Sequence, residues 1–362
     1  MRSTITGMGR SQIGKLLAGV TLRRSNPDYD PARPHHTPHG FRNPEGIAPP
    51  GLLDVMRWQL ERTVRRRPRP PREPVTPATP ELAFLQRNRS ETAVTWLGHA
   101  TILVQLHGLN ILTDPIFQER ASPFSFAGPP RHQAPPVPVG ELPRIDAVLI
   151  SHAHYDHLSL RTVRALQLQD GGPPVFFLPL GLDRWFARHV TGGDRSHLRV
   201  LDWWDVEHHE SVELTFLPVQ HWSARTVLDQ NTTLWGAWAV RGVGFSFLFL
   251  GDLGYSSAPR KVGAQMGGFD MAAIPIGAYA PRWIMGSRHV SPEEAVQVHR
   301  DVRARQSFGI HWGTFEGLTD EPLDEPPRRL AAAREAAGVA PEAFVVVRPG
   351  EMLRPSPSPR AG

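Results

Sequence analysis

The sequence predicts a single α/β domain in which buried strands outnumber helices, preceded by a proline-rich extension. Three observations lead there. From Ala93 onward, short apolar runs alternate with clusters of Gly, Asp, His or Pro: VTWLGHA, TILVQL, NILTDP, IDAVLISH, VFFLPL, VELTFLPVQH, FSFLFLGD, DMAAIPIG, SFGIHWG and FVVVRPG. Brief runs rich in Val, Ile, Leu and Phe and closed by turn residues suit buried strands. Helical patterns separate them at 160–168, 182–188, 292–303 and 327–337. The third of these has a start signal, Ser291 followed by Pro292 with Glu293 and Glu294 in the first turn. Finally, no internal repeat and no second apolar core appears, so residues 93–353 are expected to form one domain.

Composition bounds the rest. A 362-residue chain can bury a sizeable core, and 40% apolar residues with 10 Trp and 16 Phe is a globular composition. There is no cysteine, which excludes disulfides and thiolate metal sites and leaves His and carboxylates to hold any metal. Lack of cysteine also fits a reducing compartment, so a cytoplasmic location is expected, with peripheral attachment to a membrane allowed. No apolar run approaches the roughly 18 residues of a spanning helix. The first twenty residues have a short apolar part broken by Lys15 and no A-x-A site, so no signal peptide is expected.

Residues 1–38 are polar and aperiodic and read as a poorly ordered leader, with His35, His36 and His39 as scattered loop histidines. Residues 39–92 form an N-terminal extension. Within it Leu52, Met56, Leu60 and Val64 recur at helical spacing, with Leu53 and Trp58 alongside, which predicts an amphipathic helix over 51–66. Residues 67–80 (RPRPPREPVTPATP) read as a semi-rigid extended linker, and 354–362 as a disordered tail. Net charge is +5, and basic residues concentrate in Arg62, Arg65, Arg66, Arg67, Arg69 and Arg72. Such a run either meets an anionic surface or is simply solvated. Two readings of the helix follow: it lies on a membrane with its apolar face down, or its stripe packs on the main domain as a cover.

The positions of His and Asp carry the chemistry. Four strand-like runs end in a potential ligand: His152 after LIS, His221 after LPVQ, Asp252 after LFLG and His311 after FGI. Ends of neighbouring strands form a common rim, so these residues are expected to converge. The first belongs to His152-Ala153-His154-Tyr155-Asp156-His157, whose imidazoles and carboxylate suit zinc when thiolate is absent.

H-x-H-x-D-H resembles the signature of the metallo-β-lactamase superfamily, which implies a four-layer αββα sandwich with two metals at one edge of its sheets. Carried onto this chain, the resemblance implies His152, His154 and His221 on one zinc and Asp156, His157 and His311 on a second, bridged by Asp252. Asp114, in NILTDP, matches the Asp that buttresses the ligand loop. Longer blocks are similar to the N-acyl-phosphatidylethanolamine-hydrolysing phospholipase D family: WLGHAT (96–101), LTDPIF (112–117), LPRIDAVLISHAHYDHL (142–158), QHWSART (220–226), GDLGY (251–255), AAIPIGAYAPRWIM (272–285), HVSPEEAV (289–296) and IHWGTF (310–315). FRNP (41–44) matches that family's N-terminal part, so the likeness spans about 39–353. The leader and first helix match only loosely.

The resemblance implies a phosphodiesterase that splits N-acyl-phosphatidylethanolamine into N-acylethanolamine and phosphatidic acid. Two ions roughly 3.5–4 Å apart can share a water and lower its pKa to about 7, giving a bridging hydroxide to attack phosphorus. Asp156 and Asp252 would hold the ions in place. The departing alkoxide needs a proton or a metal contact, for which His289 and Tyr155 are the candidates outside the ligands; Arg288 could touch phosphate. His99, following a Gly at a strand end, is either a support for the ligands or a buried, hydrogen-bonded core residue. Trp222, Trp283, Ile284 and Met285 either line a lipid groove or belong to the core. The expected partner is phospholipid at a membrane surface, and a homodimer is allowed. A lactonase or other acyl hydrolase is the alternative. A nuclease using the Arg62–Arg72 run would want a second domain to clamp its substrate; none is recognisable, so no nucleic-acid partner is expected.

Overall fold

The computed structural model describes residues 25–355 except 70 and 74. A small hairpin, β1 (His36–Thr37) and β2 (Gly40–Phe41), comes first, followed by helices α1 (Leu52–Arg65) and α2 (Leu82–Arg87). The rest is built on two seven-stranded sheets. In spatial order the first holds β16 (Met352–Leu353), β3 (Ala93–Gly98), β4 (Thr101–Leu106), β5 (Leu109–Thr113), β6 (Ala147–Leu149), β7 (Val175–Pro179) and β8 (Leu198–Leu201). The second holds β15 (Phe344–Val345), β14 (Ala304–Ile310), β13 (Phe269–Pro275), β12 (Phe245–Phe249), β11 (Ala237–Gly242), β10 (Val212–Leu217) and β9 (Val206–His209). Strands β5 to β8 run parallel, as do β12 to β15, and the remaining pairs are antiparallel.

Alternation along the strands explains the layers. In β4, Ile102, Val104 and Leu106 join the core between the sheets, while Leu103 turns to the outer face. Likewise Ile111, Leu149 and Phe177 face inward and Leu112, Val148, Phe176 and Leu178 outward. A sheet buried on both faces needs continuous apolar runs, which is why these strands show no polar alternation. The outer face packs Leu85 of α2 together with Val163 and Leu166 of α3 (Leu160–Gln167) and Phe186 of α4 (Asp183–His189). Outside the second sheet lie α5 (Ala258–Met266), α7 (Pro292–Asp301) and α8 (Glu325–Ala336), with the single turn α6 (Arg282–Met285) between α5 and α7. This is the expected αββα sandwich in one domain. The α7 start is a capping box: Glu294 N–H donates to Ser291 Oγ at 3.3 Å, and Ser291 N–H donates to Glu294 Oε2 at 2.9 Å.

The N-terminal reading needs a correction. Residues 1–24 lie outside the described residues, but 25–38 are folded against the second half of the chain. His35 and His36 are buried, and their Nε2 atoms meet the two oxygens of Asp202 at 2.6 and 2.9 Å. His36 Nδ1 accepts the Asp30 N–H at 3.1 Å, which leaves its proton on Nε2. The trio is thus a buried, hydrogen-bonded staple. A buried carboxylate with matched donors can hold a segment that has no hydrophobic period of its own. His39 is exposed, as expected of a loop histidine. Of the expected tail, residues 356–362 fall outside the described residues.

Helix α1 matches the expected span. Its stripe faces outward: Leu53, Met56, Leu60 and Val64 are 79%, 60%, 66% and 75% exposed. The other side meets the body. Trp58 Nε1 donates to Asp320 at 3.1 Å, and Arg62 donates to Gly317 O at 2.7 Å while pairing with Asp320 at 3.2 Å. Arg57 lies 4.4 Å over the Trp283 ring, whose indole N–H reaches Glu61. The cover-helix reading is therefore wrong about which face packs: polar and aromatic side chains dock, and the aliphatic stripe is left out. Arg62 leaves the free basic cluster, being spent on the body. Among the described residues no helix is long and apolar enough to cross a membrane.

Candidate metal centre

All seven expected ligands meet at one edge, where the C-terminal ends of β3, β5, β6, β10, β12 and β14 emerge together. Open α/β sheets place their sites at the carboxyl ends of strands. The two sheets approach closely here. Gly251, at φ +57, sits where a Cβ would come within 2.7 Å of the Ser151 Cβ, so the turn carrying Asp252 can lie against the loop carrying His152.

Two donor groups result. His152 Nε2 and His221 Nε2 lie 2.8 and 3.4 Å from His154 Nδ1, and Asp252 Oδ2 lies 3.6 Å from His221 and 3.9 Å from His152. In the second group His157 Nε2 and His311 Nε2 are 3.1 Å apart, with Asp156 Oδ2 at 3.6 and 3.4 Å. Asp252 reaches this group as well as the first: its Oδ2 is 3.1 Å from His157 and its Oδ1 3.1 Å from His311. The grouping agrees with the division of ligands that the resemblance implies.

The residues fit metal ions on donor chemistry alone. Ring nitrogens this close, facing one another, cannot all be satisfied by one another's protons, but a cation satisfies them all. Three of the five rings have their far nitrogens tied back, whereas His154 Nε2 and His311 Nδ1 are buried without a partner. His221 Nδ1 donates to Arg288 O at 3.0 Å, His157 Nδ1 meets Asp114 Oδ2 at 2.7 Å, and His152 Nδ1 meets Ser151 Oγ at 2.9 Å. Fixing the outer nitrogen leaves the inner lone pair pointing into the site. Asp114, buried at φ +30, also accepts Ser151 N–H at 2.7 Å, so it supports His152 and His157 together, as expected.

Burial dominates the electrostatics. It pulls His152 and His221 well below the ordinary imidazole value and His154 down to about 4, so these rings are neutral at pH 7 and ready to bind a cation. For Asp156 and Asp252 burial pushes upward, but His157 and the neighbouring imidazoles win and hold both carboxylates well below their usual range. His157 goes the other way: burial opposes its charge, yet Asp252, Asp156 and Asp114 raise it well above the ordinary value. Without metal it carries a proton.

His99 is a residue whose function the sequence left open. Its Nε2 meets Asp156 Oδ2 at 3.1 Å, and its carbonyl accepts the His311 N–H at 2.9 Å, so one residue orients two of the expected ligands of the second group. Burial, then His311, lowers its pKa to about 3, which keeps it neutral. His99 and His311 both have positive φ, at +53 and +61, a strain that the surrounding hydrogen bonds hold in place.

The other candidates divide. His289 Nδ1 lies 3.9 Å from Asp252 Oδ2, its ring 5.3 Å from that of His221, and burial lowers its pKa to about 4. It borders the centre as a neutral imidazole. Tyr155 packs instead: the Arg225 guanidinium lies 4.1 Å over its ring. Tyr155→Phe should accordingly slow turnover less than about 10-fold, against the 10²-fold or more expected of a proton donor. Steady-state rates of the two proteins decide this. Arg288 is tied to the chain, donating to Ile284 O and, at 3.0 Å, to Ala48 O. Ile284 and Met285 are buried, while Trp222 packs its ring 4.4 Å from His154 and Trp283 is exposed on the rim.

Comparison with known proteins agrees with this architecture. Residues 109–312 match the β-lactamase superfamily domain. N-acyl-phosphatidylethanolamine-hydrolyzing phospholipase D 1 of Caenorhabditis elegans is 43% identical over 72% of this chain and 75% of its own. The mitochondrial N-acyl-phosphatidylethanolamine-hydrolyzing phospholipase D of Saccharomyces cerevisiae is 32% identical over 67% of this chain and 52% of its own. Among solved structures, the isothiocyanate hydrolase from Delia radicum gut bacteria superposes with a TM-score of 0.55 at 18% identity, covering 72% of this chain and 98% of that one, a likeness of fold alone. The chain is a metal-dependent hydrolase that belongs to the metallo-β-lactamase superfamily, with the N-acyl-phosphatidylethanolamine-hydrolysing phospholipases D among its relatives.

Proposed function

We propose that the protein is a two-zinc phosphodiesterase that hydrolyses N-acyl-phosphatidylethanolamine to N-acylethanolamine and phosphatidic acid at a membrane surface. The observation that carries the reading is the 43% identity to the Caenorhabditis elegans phospholipase D across a chain whose seven His and Asp donors already converge. Bound zinc would lower the pKa of a water and neutralise charge on the phosphoryl oxygens. The chain's own residues do the rest. His152, His154 and His221 would hold one ion and Asp156, His157 and His311 the other, with Asp252 between them. Asp114 and His99 keep those side chains oriented. His289, neutral beside Asp252, is placed to hydrogen-bond the leaving oxygen.

Access from a membrane is supported by α1. The helix rests on Trp283 and Asp320, in the segments that follow β13 and β14, and therefore sits at the metal edge with its aliphatic stripe outward. Arg65 and Arg66 are exposed at its end. Such a helix lies in the headgroup layer with its arginines on anionic lipid.

The test is a panel of phospholipids with varied head groups, plus a lactone, given to zinc-loaded protein with products identified by mass. N-acylethanolamine with phosphatidic acid is expected; turnover of the lactone alone would replace this reading with the acyl-hydrolase one. The docking part has its own check. Arg65→Gln, Arg66→Gln and Arg67→Gln together should weaken binding to anionic vesicles and flatten its salt dependence, while a soluble phosphodiester is still hydrolysed. Unchanged vesicle binding would move the docking face elsewhere.

A further inference from the structure

The segment after His221 grips the ligand loop from outside. Ser223 Oγ accepts the Ala153 N–H at 3.1 Å. Arg225 Nη1 donates to Ala153 O at 2.9 Å and to Leu158 O at 3.0 Å. Those two carbonyls bracket residues 154–157, which include three of the expected ligands. The guanidinium is held between two aromatic faces, 4.1 Å from the Tyr155 ring and 4.6 Å from the Trp185 ring. Its backbone is fixed as well: the Asp229 carboxylate accepts the N–H of Arg225 at 2.9 Å and of Thr226 at 2.7 Å.

We propose that Arg225 is a positioning residue for the metal centre, a clamp that fixes His154, Asp156 and His157 by holding both ends of their loop. The proposal rests on the reading of those side chains as metal ligands. The chemistry suits arginine in particular. A planar guanidinium can be stacked on both faces while its edge donates to two carbonyls; a lysine ammonium cannot do both. Charge by itself works in the opposite direction. A cation this near a site for two dications repels them, and Arg225 also disfavours the protonated form of His154. Its value to the site is therefore geometric, and the two effects differ in sign.

That difference makes the test decisive. Zinc dissociation constants are measured by competition with a chromophoric chelator for the wild-type chain, Arg225→Met and Arg225→Lys, with the melting temperature of each metal-free protein alongside. The clamp predicts weaker zinc binding in both variants, by roughly 10- to 100-fold for Met, the usual loss when a ligand's supporting partner goes, and by less for Lys. If Arg225 acted through charge, Met would bind zinc more tightly and Lys would match the wild type. If it merely stabilised the fold, the melting temperature would fall with the zinc constants unchanged. Either result overturns the proposal. Should Arg225→Met fail to fold, Arg225→Lys keeps the length and charge, and an unaltered zinc constant there is equally fatal. A wild-type chain that takes up no zinc would instead remove the metal reading beneath the proposal.

Discussion

Asp252→Asn should abolish turnover while leaving the fold in place. Asp252 is buried between the two donor groups: its Oδ2 lies 3.6 Å from His221 of the first and 3.1 Å from His157 of the second, and its Oδ1 lies 3.1 Å from His311. An amide keeps the shape but removes the charge that lets one side chain serve two cations. Turnover should fall by at least about 10²- to 10³-fold, the order lost when one charge-stabilising group leaves an active site. The far-ultraviolet spectrum should be unchanged, because no strand depends on Asp252. Near-normal activity in a folded Asp252→Asn protein would remove the two-metal mechanism.

Metal removal should produce the second large effect, with a definite pH dependence. A ligand that binds only the folded state stabilises it by roughly 4 kcal/mol per site when free ion exceeds its dissociation constant 1,000-fold. Chelation should therefore lower the melting temperature and end turnover, and zinc should restore both. Several histidines of the metal-free centre have depressed pKa values, His154 and His289 at about 4 and His99 at about 3. The unfolded chain takes up protons on these rings from about pH 6.5 downward and the folded one does not. Stability of the metal-free protein should thus be complete above that value and decline as pH falls toward 4. His157 has the opposite sign, since its folded pKa is raised. Its contribution is complete below 6.5 and is lost as pH rises through the raised value. Zinc must displace that proton, so loading at pH 7 should release at least one proton per chain. Calorimetric titration in two buffers of different ionisation heat measures it; no release would mean that His157 is not a ligand.

The fold was legible because both sheets are buried on both faces. Short apolar runs ending in Gly, Asp or His marked strands, and helix spans at 51–66, 160–168 and 292–303 fell close to the observed α1, α3 and α7. Helices α2 and α5 escaped notice, being six and nine residues long in segments without a clear apolar period. Strands β8 and β9 lie at a sheet edge, where partial exposure breaks the apolar run.

The donors were legible for a different reason: strand ends in neighbouring positions share a rim, so His152, His221, Asp252 and His311 could be grouped before any contact was known. His99 obeys the same rule after β3, and applying it once more would have placed it beside Asp156. Other features leave no such trace. The ties from Asp202 to His35 and His36 join residues more than 160 positions apart, and the Arg225 ties to Ala153 and Leu158 join residues 72 and 67 apart. Periodicity cannot report contacts of that kind. Nor could it say which side of α1 docks, because Trp58, Glu61 and Arg62 outcompete the aliphatic stripe only through partners on distant loops.

The central claim is that this edge holds two metal ions per chain. Elemental analysis of protein purified without chelators, with concentration fixed by amino-acid analysis, tests it most directly. The account predicts close to two zinc ions per chain in the wild type and a clear deficit in Asp252→Asn. Wild-type protein that is folded and active yet carries no transition metal would contradict it.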